Sequence, residues 1–128
     1  NAILGFSEAL GSGIFGRLGE RQAEYIGDIH LSGKRLLALT LRFRAAALRN
    51  GFALLDSDTP IQPLVCGTAA HALAMADALR DEGFLTVAIR PPTVPAGTAR
   101  LRVSLTLNAS AEDVVRLAAT LERLWPDL

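Results

Sequence analysis

The sequence predicts an α/β (α+β) fold, a two-layer small domain with a mostly antiparallel sheet packed by helices. Three observations carry this. From residue 34 onward helical patterns alternate with short apolar runs, residues 99–107 alternate between apolar and polar side chains, and turn signals separate the elements.

Residues 1–33 read as a glycine-containing N-terminal arm or domain remnant, because glycines at 5, 11, 13, 16, 19, 27 and 33 interrupt its short apolar patches. Within it, Glu20 to Ile29 is expected to form one or two helical turns, with Tyr25, Ile26 and Ile29 available to pack. Gly27 weakens any longer helix. Residues 34–128 read as the folded domain. Its first helix is predicted over Lys34 to Asn50, with Leu37, Leu41 and Leu48 on one side and Leu36, Leu39, Phe43 and Ala47 broadening the apolar face; Asn50-Gly51 stops it.

Phe52 to Leu55 is a candidate short strand, and Asp56-Ser57-Asp58-Thr59-Pro60 a turn. Ile61 to Cys66 is the next strand. Pro63 has no amide hydrogen to give a ladder and therefore places that strand at an edge or an irregularity. Thr68 caps a second helix reaching about Asp81, packed through Leu73, Ala76 and Leu79, and Glu82-Gly83 ends it. Phe84 to Ile89 reads as an apolar strand, and Arg90 to Thr98, with three prolines and Gly97, as a restricted loop.

Ala99 to Leu107 is the clearest strand, with Leu101, Val103, Leu105 and Leu107 on one face and Arg100, Arg102, Ser104 and Thr106 on the other. Ser110-Ala111-Glu112-Asp113 has the form of a capping box. It opens a last helix carrying Val114, Leu117, Ala118, Leu121 and Leu124.

Composition narrows the function classes. The 128 residues are half hydrophobic and carry 13 basic against 13 acidic side chains, so no basic surplus supports nucleic-acid or anionic-membrane binding. The basic set is almost wholly arginine, with Lys34 the one lysine. A single cysteine, Cys66, fits a buried or half-buried thiol and a cytoplasmic setting. No leader or membrane-spanning pattern is seen, and a start at Asn1 raises the expectation of a domain belonging to something larger.

Several local motifs are explained without chemistry. Gly11-Ser12-Gly13-Ile14-Phe15-Gly16 satisfies a bare G-x-G-x-x-G pattern but lacks the strand before it and the acidic residue after it, so a turn is expected. Ser32-Gly33-Lys34 is only a piece of a phosphate loop and is expected to be a cap with a solvent-facing lysine. His30 and His71 form no metal-ligand pattern, and Glu112 and Asp113 suit a helix N-terminus. The arginines are different. Arg90 lies where a strand meets the proline loop, and Arg100 and Arg102, two residues apart on one strand, emerge on one side. A planar guanidinium fork suits a carboxylate, yet structural ion pairing and plain solvation remain open on residue pattern alone.

The run Ile89-Arg90-Pro91-Pro92-Thr93-Val94-Pro95-Ala96-Gly97-Thr98-Ala99-Arg100-Leu101-Arg102, continuing through Thr106, closely resembles the carboxyl-terminal region of the 8-amino-7-oxononanoate synthase family, α-oxoamine synthases among the fold-type-I pyridoxal phosphate enzymes. The resemblance extends from Lys34 to Trp125. It implies the small domain of a homodimeric acyltransferase of biotin biosynthesis, which condenses L-alanine with pimeloyl-CoA or a pimeloyl-acyl carrier protein and releases carbon dioxide. It implies Arg102 as the group holding the substrate carboxylate, Arg90 as a second substrate-binding residue, and Arg100 and Thr93 as supporting residues.

The resemblance also implies what the chain lacks. Pyridoxal phosphate (PLP) would sit in the large catalytic domain; no catalytic, cofactor-binding or metal-binding residue is assigned here, and the chain alone is expected to be inactive. Lys34, 68 positions before Arg102, falls in the wrong register for the cofactor lysine. The alternatives are a standalone module binding a small carboxylate and an interface module.

Overall fold

The computed structural model describes residues 2–127. Its elements run α1 (Ala2–Gly11), α2 (Glu20–Arg49), β1 (Ile61–Gly67), α3 (Ala69–Asp81), β2 (Val87–Ile89), β3 (Ala99–Ser104) and α4 (Ala111–Leu124), followed by a 3₁₀ turn, Trp125–Asp127. The sheet is antiparallel with order β1-β3-β2. Helices cover one of its faces, giving the expected two layers.

The expected helix start at Lys34 is corrected to Glu20. Gln22 Oε1 accepts the amide hydrogen of Gly19 at 2.9 Å, closing the first turn. The helix then passes through Gly27 and Gly33, whose cost of roughly 1 kcal/mol each is a weak local preference that tertiary packing overrides. At Gly33 the packing is visible, since a Cβ there would lie 2.9 Å from Leu4 Cδ2 of α1. Ser32-Gly33-Lys34 is thus mid-helix rather than a cap, although Lys34 does face solvent.

The buried face of α2 is Thr40, Phe43, Ala46 and Ala47, with Leu36 and Leu39 packed at its margin; Leu41 and Leu48 lie outside it and are exposed. On α3 the packed residues are Ala72, Met75, Ala76 and Leu79, and Leu73 is turned to solvent. Leucines on several faces of α2, and alanines on several faces of α3, left the choice of face to the tertiary contacts.

Phe52 to Leu55 forms one bridge, Leu54 to Leu64, rather than a strand, with Leu55 N donating to Pro63 O and Val65 N to Ala53 O. β1 lies at the sheet margin, as Pro63 requires. The expected strand from Phe84 shortens to Val87–Ile89, because the Phe84 amide is used to close α3 on Leu79 O at 2.8 Å and Leu85 projects into solvent. β3 ends at Ser104, and Leu107 beyond it is exposed.

The core gathers Phe43, Ala47, Phe52, Leu64, Met75, Leu79, Leu101, Val103, Leu105, Val114, Leu117 and Leu121. α4 supplies its last three as the 3.6-residue period predicts. The Ser110 box closes as expected: Asp113 N donates to Ser110 Oγ at 3.1 Å and Ser110 N to Asp113 Oδ2 at 2.9 Å. The Ser110 amide first, then the Ser110 hydroxyl, with Arg116 nearby, hold the Asp113 carboxyl below its ordinary value.

Candidate substrate-carboxylate face

Strand pairing sets the geometry of the arginines. Arg102 pairs with Pro63 on β1 and Val87 on β2, and Arg100 pairs with Val65 and Ile89. Directly opposed residues share a face, so both guanidinium stems rise from the side of the sheet that carries no helix, each between two apolar neighbours. Leu101 and Val103, alternating with them, are buried in the core on the other side.

The two arginines are held differently. Arg100 is half-buried and curls back on the loop, donating from Nε to Thr98 O at 3.1 Å and from Nη2 to Thr98 Oγ1 at 3.4 Å. Arg102 is exposed, and among the described residues no hydrogen bond or ion pair engages it. Its five donors are therefore available to an incoming anion.

Arg90 follows Ile89, the register partner of Arg100, and opens the proline loop. Its backbone carbonyl accepts the Thr93 amide at 3.0 Å, and Pro95 O accepts both Thr98 N (3.1 Å) and Thr98 Oγ1 (2.6 Å), so two turns shape the loop. Thr98 thus links the turn at Pro95 to the Arg100 guanidinium. Gly97, at φ +79°, takes the left-handed conformation this connection needs. Thr93 is exposed on the first turn. The register sets Arg90 beside Arg100 at the end of β2, with Arg102 two residues farther along β3, opposite the start of β2 at Val87.

This site is an open face rather than a cavity. A cleft of about 420 Å³ lies elsewhere, between Phe84–Thr86, the end of β3 and the start of α4, and none of the three arginines lines it. Arg116 spans that cleft's margin, stacked 4.1 Å above the Phe84 ring.

The remaining candidates take structural roles. Cys66 occupies the register shift between Val65 and Gly67, with its Sγ 3.6 Å from Leu64 O. Burial pushes its thiol up to about 11, against a smaller lowering by the Leu101 backbone, so it is no nucleophile at neutral pH. His71 packs its ring 4.6 Å from Trp125, which itself meets Phe52 edge-on at 5.0 Å. His30 Nδ1 lies 2.8 Å from the buried Ser7 Oγ. Gly13 and Gly16 adopt positive φ in a turn that follows α1, so the glycine motif has no strand before it. Among the described residues there is no cluster able to hold a metal ion, and no helix is long and apolar enough to cross a membrane.

One buried polar cluster is not apparent from the sequence pattern. Gln62 is fully buried, its Nε2 donates to Ser57 O (3.0 Å) and Thr59 O (2.7 Å), and its Oε1 accepts from Arg44 Nη1 at 2.7 Å. Arg44 also reaches Leu55 O at 3.1 Å. A glutamine at an inward position of β1 is the available signal.

The sequence profile of the aminotransferase class I and II family matches residues 20–121. A protein from Pseudomonas syringae pv. syringae named 8-amino-7-oxononanoate synthase is 48% identical over 97 residues, which is 76% of this chain and 24% of that protein. A protein of the same name from Nitrosospira multiformis is 57% identical over 75 residues, covering 59% of this chain and 19% of its own length. The chain therefore spans about a quarter of the length of the curated relatives it matches. Among solved structures, Sphingomonas wittichii serine palmitoyltransferase superposes with a TM-score of 0.71 at 24% identity, over 83% of this chain and 28% of that one. An 8-amino-7-oxononanoate synthase from Francisella tularensis superposes at 0.67 with 19% identity, over 80% and 30%. At these identities the superpositions show the shared fold.

Proposed function

The chain belongs to the aminotransferase class I and II family, and from that membership we propose that it is the carboxyl-terminal small domain of an 8-amino-7-oxononanoate synthase. In this reading residues 34–128 form the domain and residues 1–33 an appended arm. The whole enzyme would be a cytoplasmic acyltransferase that joins L-alanine to a pimeloyl thioester with loss of carbon dioxide, in biotin biosynthesis. The relatives' names and their level of identity support that choice of substrates.

The carrying observation is Arg102, exposed and, among the described residues, unengaged between Pro63 and Val87 on the helix-free face. Docking a large domain on this face would remove it from water, and in that setting a bidentate arginine holds a carboxylate firmly. Arg102 would fix the alanine carboxylate and so orient the carbon that forms the new bond. Arg90 would sit beside the acyl substrate at the loop. Arg100, tied to Thr98, would keep β3 and the loop in register, with Thr93 at the loop's outer turn.

The residues of this chain do not themselves compose a site for pyridoxal phosphate. Lys34, the one lysine, is exposed on α2, and the arginine face has no lysine on it. The cofactor chemistry is assigned to the large domain of the whole enzyme. Replacing the matching quarter of the Pseudomonas syringae synthase with residues 34–128 tests the proposal. Alanine-dependent release of free thiol from pimeloyl-CoA supports it; a folded chimera that binds its cofactor and releases none counts against it.

A further inference from the structure

The cleft of about 420 Å³ takes no part in the arginine face, and its volume lies in the range of small-molecule pockets. Its position follows from the pairing of β2 with β3. The two strands stay in register from Ile89 and Arg100 to Val87 and Arg102, and the chain before Val87 leaves the ladder. Among the described residues no backbone hydrogen bond engages Leu85 or Thr86. The wedge so opened is closed on the helix side by the first turns of α4. Val103, Leu105, Val114 and Leu117, all core residues, form its apolar floor.

One polar group of this wall is unaccounted for. Thr86 is 6% exposed, and its Oγ1 is buried with no hydrogen-bond partner among the described residues. A hydroxyl left in that state is costly, and folded proteins seldom keep one. The charged groups at the margin are already engaged. Arg116 lies on the Phe84 ring and donates from Nη1 to Glu82 O at 3.2 Å, Arg123 pairs with Glu82 at 2.9 Å, and Asp113 is held in the Ser110 box. What the cleft calls for is one neutral hydrogen-bonding group on an apolar body, not a counter-ion.

We propose that this cleft is a binding site for a small neutral alcohol or phenol, its apolar body on the floor of the cleft and its hydroxyl paired with Thr86 Oγ1. A threonine hydroxyl both donates and accepts, so a ligand hydroxyl satisfies it in either sense. Reaching Oγ1 takes an outward shift of residues 84–86, which the ladder does not restrain, and Gly83 at φ +92° precedes them as the hinge. The contacts of Arg116 with Glu82 O and the Phe84 ring hold the segment to α4 when the site is closed. Every wall of the cleft comes from this chain, and the inference does not depend on the proposed enzymatic role.

NMR titration of the full chain, followed at the methyl groups of Val103, Val114 and Leu117, tests it with p-cresol and with toluene, which has the same ring and no hydroxyl. The expected result is saturable binding of p-cresol, about 5-fold tighter than that of toluene. Thr86→Val removes the hydroxyl and nearly keeps the shape, so the two probes should then bind alike. That variant should also unfold at the same or a higher urea concentration, because the lost hydroxyl had no bond to break. Absence of saturable shifts at these methyl groups overturns the proposal. So does equal affinity for the two probes in the parent chain, or a preference for p-cresol that survives Thr86→Val. A marked loss of stability in Thr86→Val overturns it as well, by showing that the hydroxyl is already paired within the chain.

Discussion

Gly33 and Leu4 meet where α1 crosses α2, so closely that a Cβ on Gly33 would lie 2.9 Å from Leu4 Cδ2 and 3.4 Å from its Cγ. The glycine that weakens α2 as a helix is what lets α1 lie against it. Gly27, six residues earlier, has open space where a Cβ would stand, with no neighbouring atom within 4 Å. The two glycines should therefore respond oppositely.

Gly27→Ala is expected to stabilise the chain by about 0.5–1 kcal/mol, through helix preference alone. Gly33→Leu is expected to push α1 off, giving lower helicity and faster proteolysis in the 12–19 turn. Urea melts followed by circular dichroism and limited proteolysis read both. Equal effects of the two would remove the seam as the explanation.

The buried Gln62 should be among the most sensitive polar positions. Gln62→Leu keeps the bulk but strands the carbonyls of Ser57 and Thr59 and one donor of Arg44, so a loss of about 2–4 kcal/mol is expected. Arg44→Met in the Gln62→Leu background should restore part of it, because the second change removes the stranded charge. Denaturant midpoints for the four-member cycle check this.

Arg100 and Arg102 should separate stability from binding. Arg100→Ala loses both contacts to Thr98 and is expected to cost about 1 kcal/mol of stability, whereas Arg102→Ala should fall within about 0.5 kcal/mol of the parent. Thermal melts of the two variants decide it. A larger loss for Arg102→Ala would mean that its side chain is held by contacts other than these.

Cys66 gives a pH dependence of definite sign. Its thiol is pushed up to about 11 by burial and ionises near its ordinary value once unfolded, so the unfolded chain releases this proton first. Stability from this group is complete below about pH 9 and is lost as pH rises toward 11. Cys66→Ala should flatten that part of the profile. Alkylation of the native thiol should likewise stay slow at neutral pH and accelerate only in strong base.

Much of the fold is legible in the sequence because period and punctuation agree. β3 alternates from Ala99 to Ser104, and α4 has both a capping box and an apolar stripe, so sequence and structure coincide there, although the strand stops three residues short of Leu107. The true start of α2 is hidden because Gly27 and Gly33 both count against a helix until the contact of Gly33 with α1 is known. The outward turn of Leu41, Leu48 and Leu73 is illegible for a related reason: apolar residues occur on several faces of both helices, and only the neighbours select one. At the site, the motif brings the arginines forward, while the difference between a tethered Arg100 and an unengaged Arg102 needs the loop geometry. The role of Gln62 stays hidden because its value lies in partners from 57, 59 and 44, which alternation does not reveal.

The central claim is that Arg102 holds the substrate carboxylate, and its most direct test is the Michaelis constant for alanine in the chimeric synthase carrying residues 34–128. Arg102→Ala is expected to raise it about 10- to 100-fold, with Arg102→Lys recovering part of the loss and Arg100→Ala causing a smaller change. An unchanged alanine constant in Arg102→Ala, or an equal rise in Arg100→Ala with the fold intact, would contradict the account.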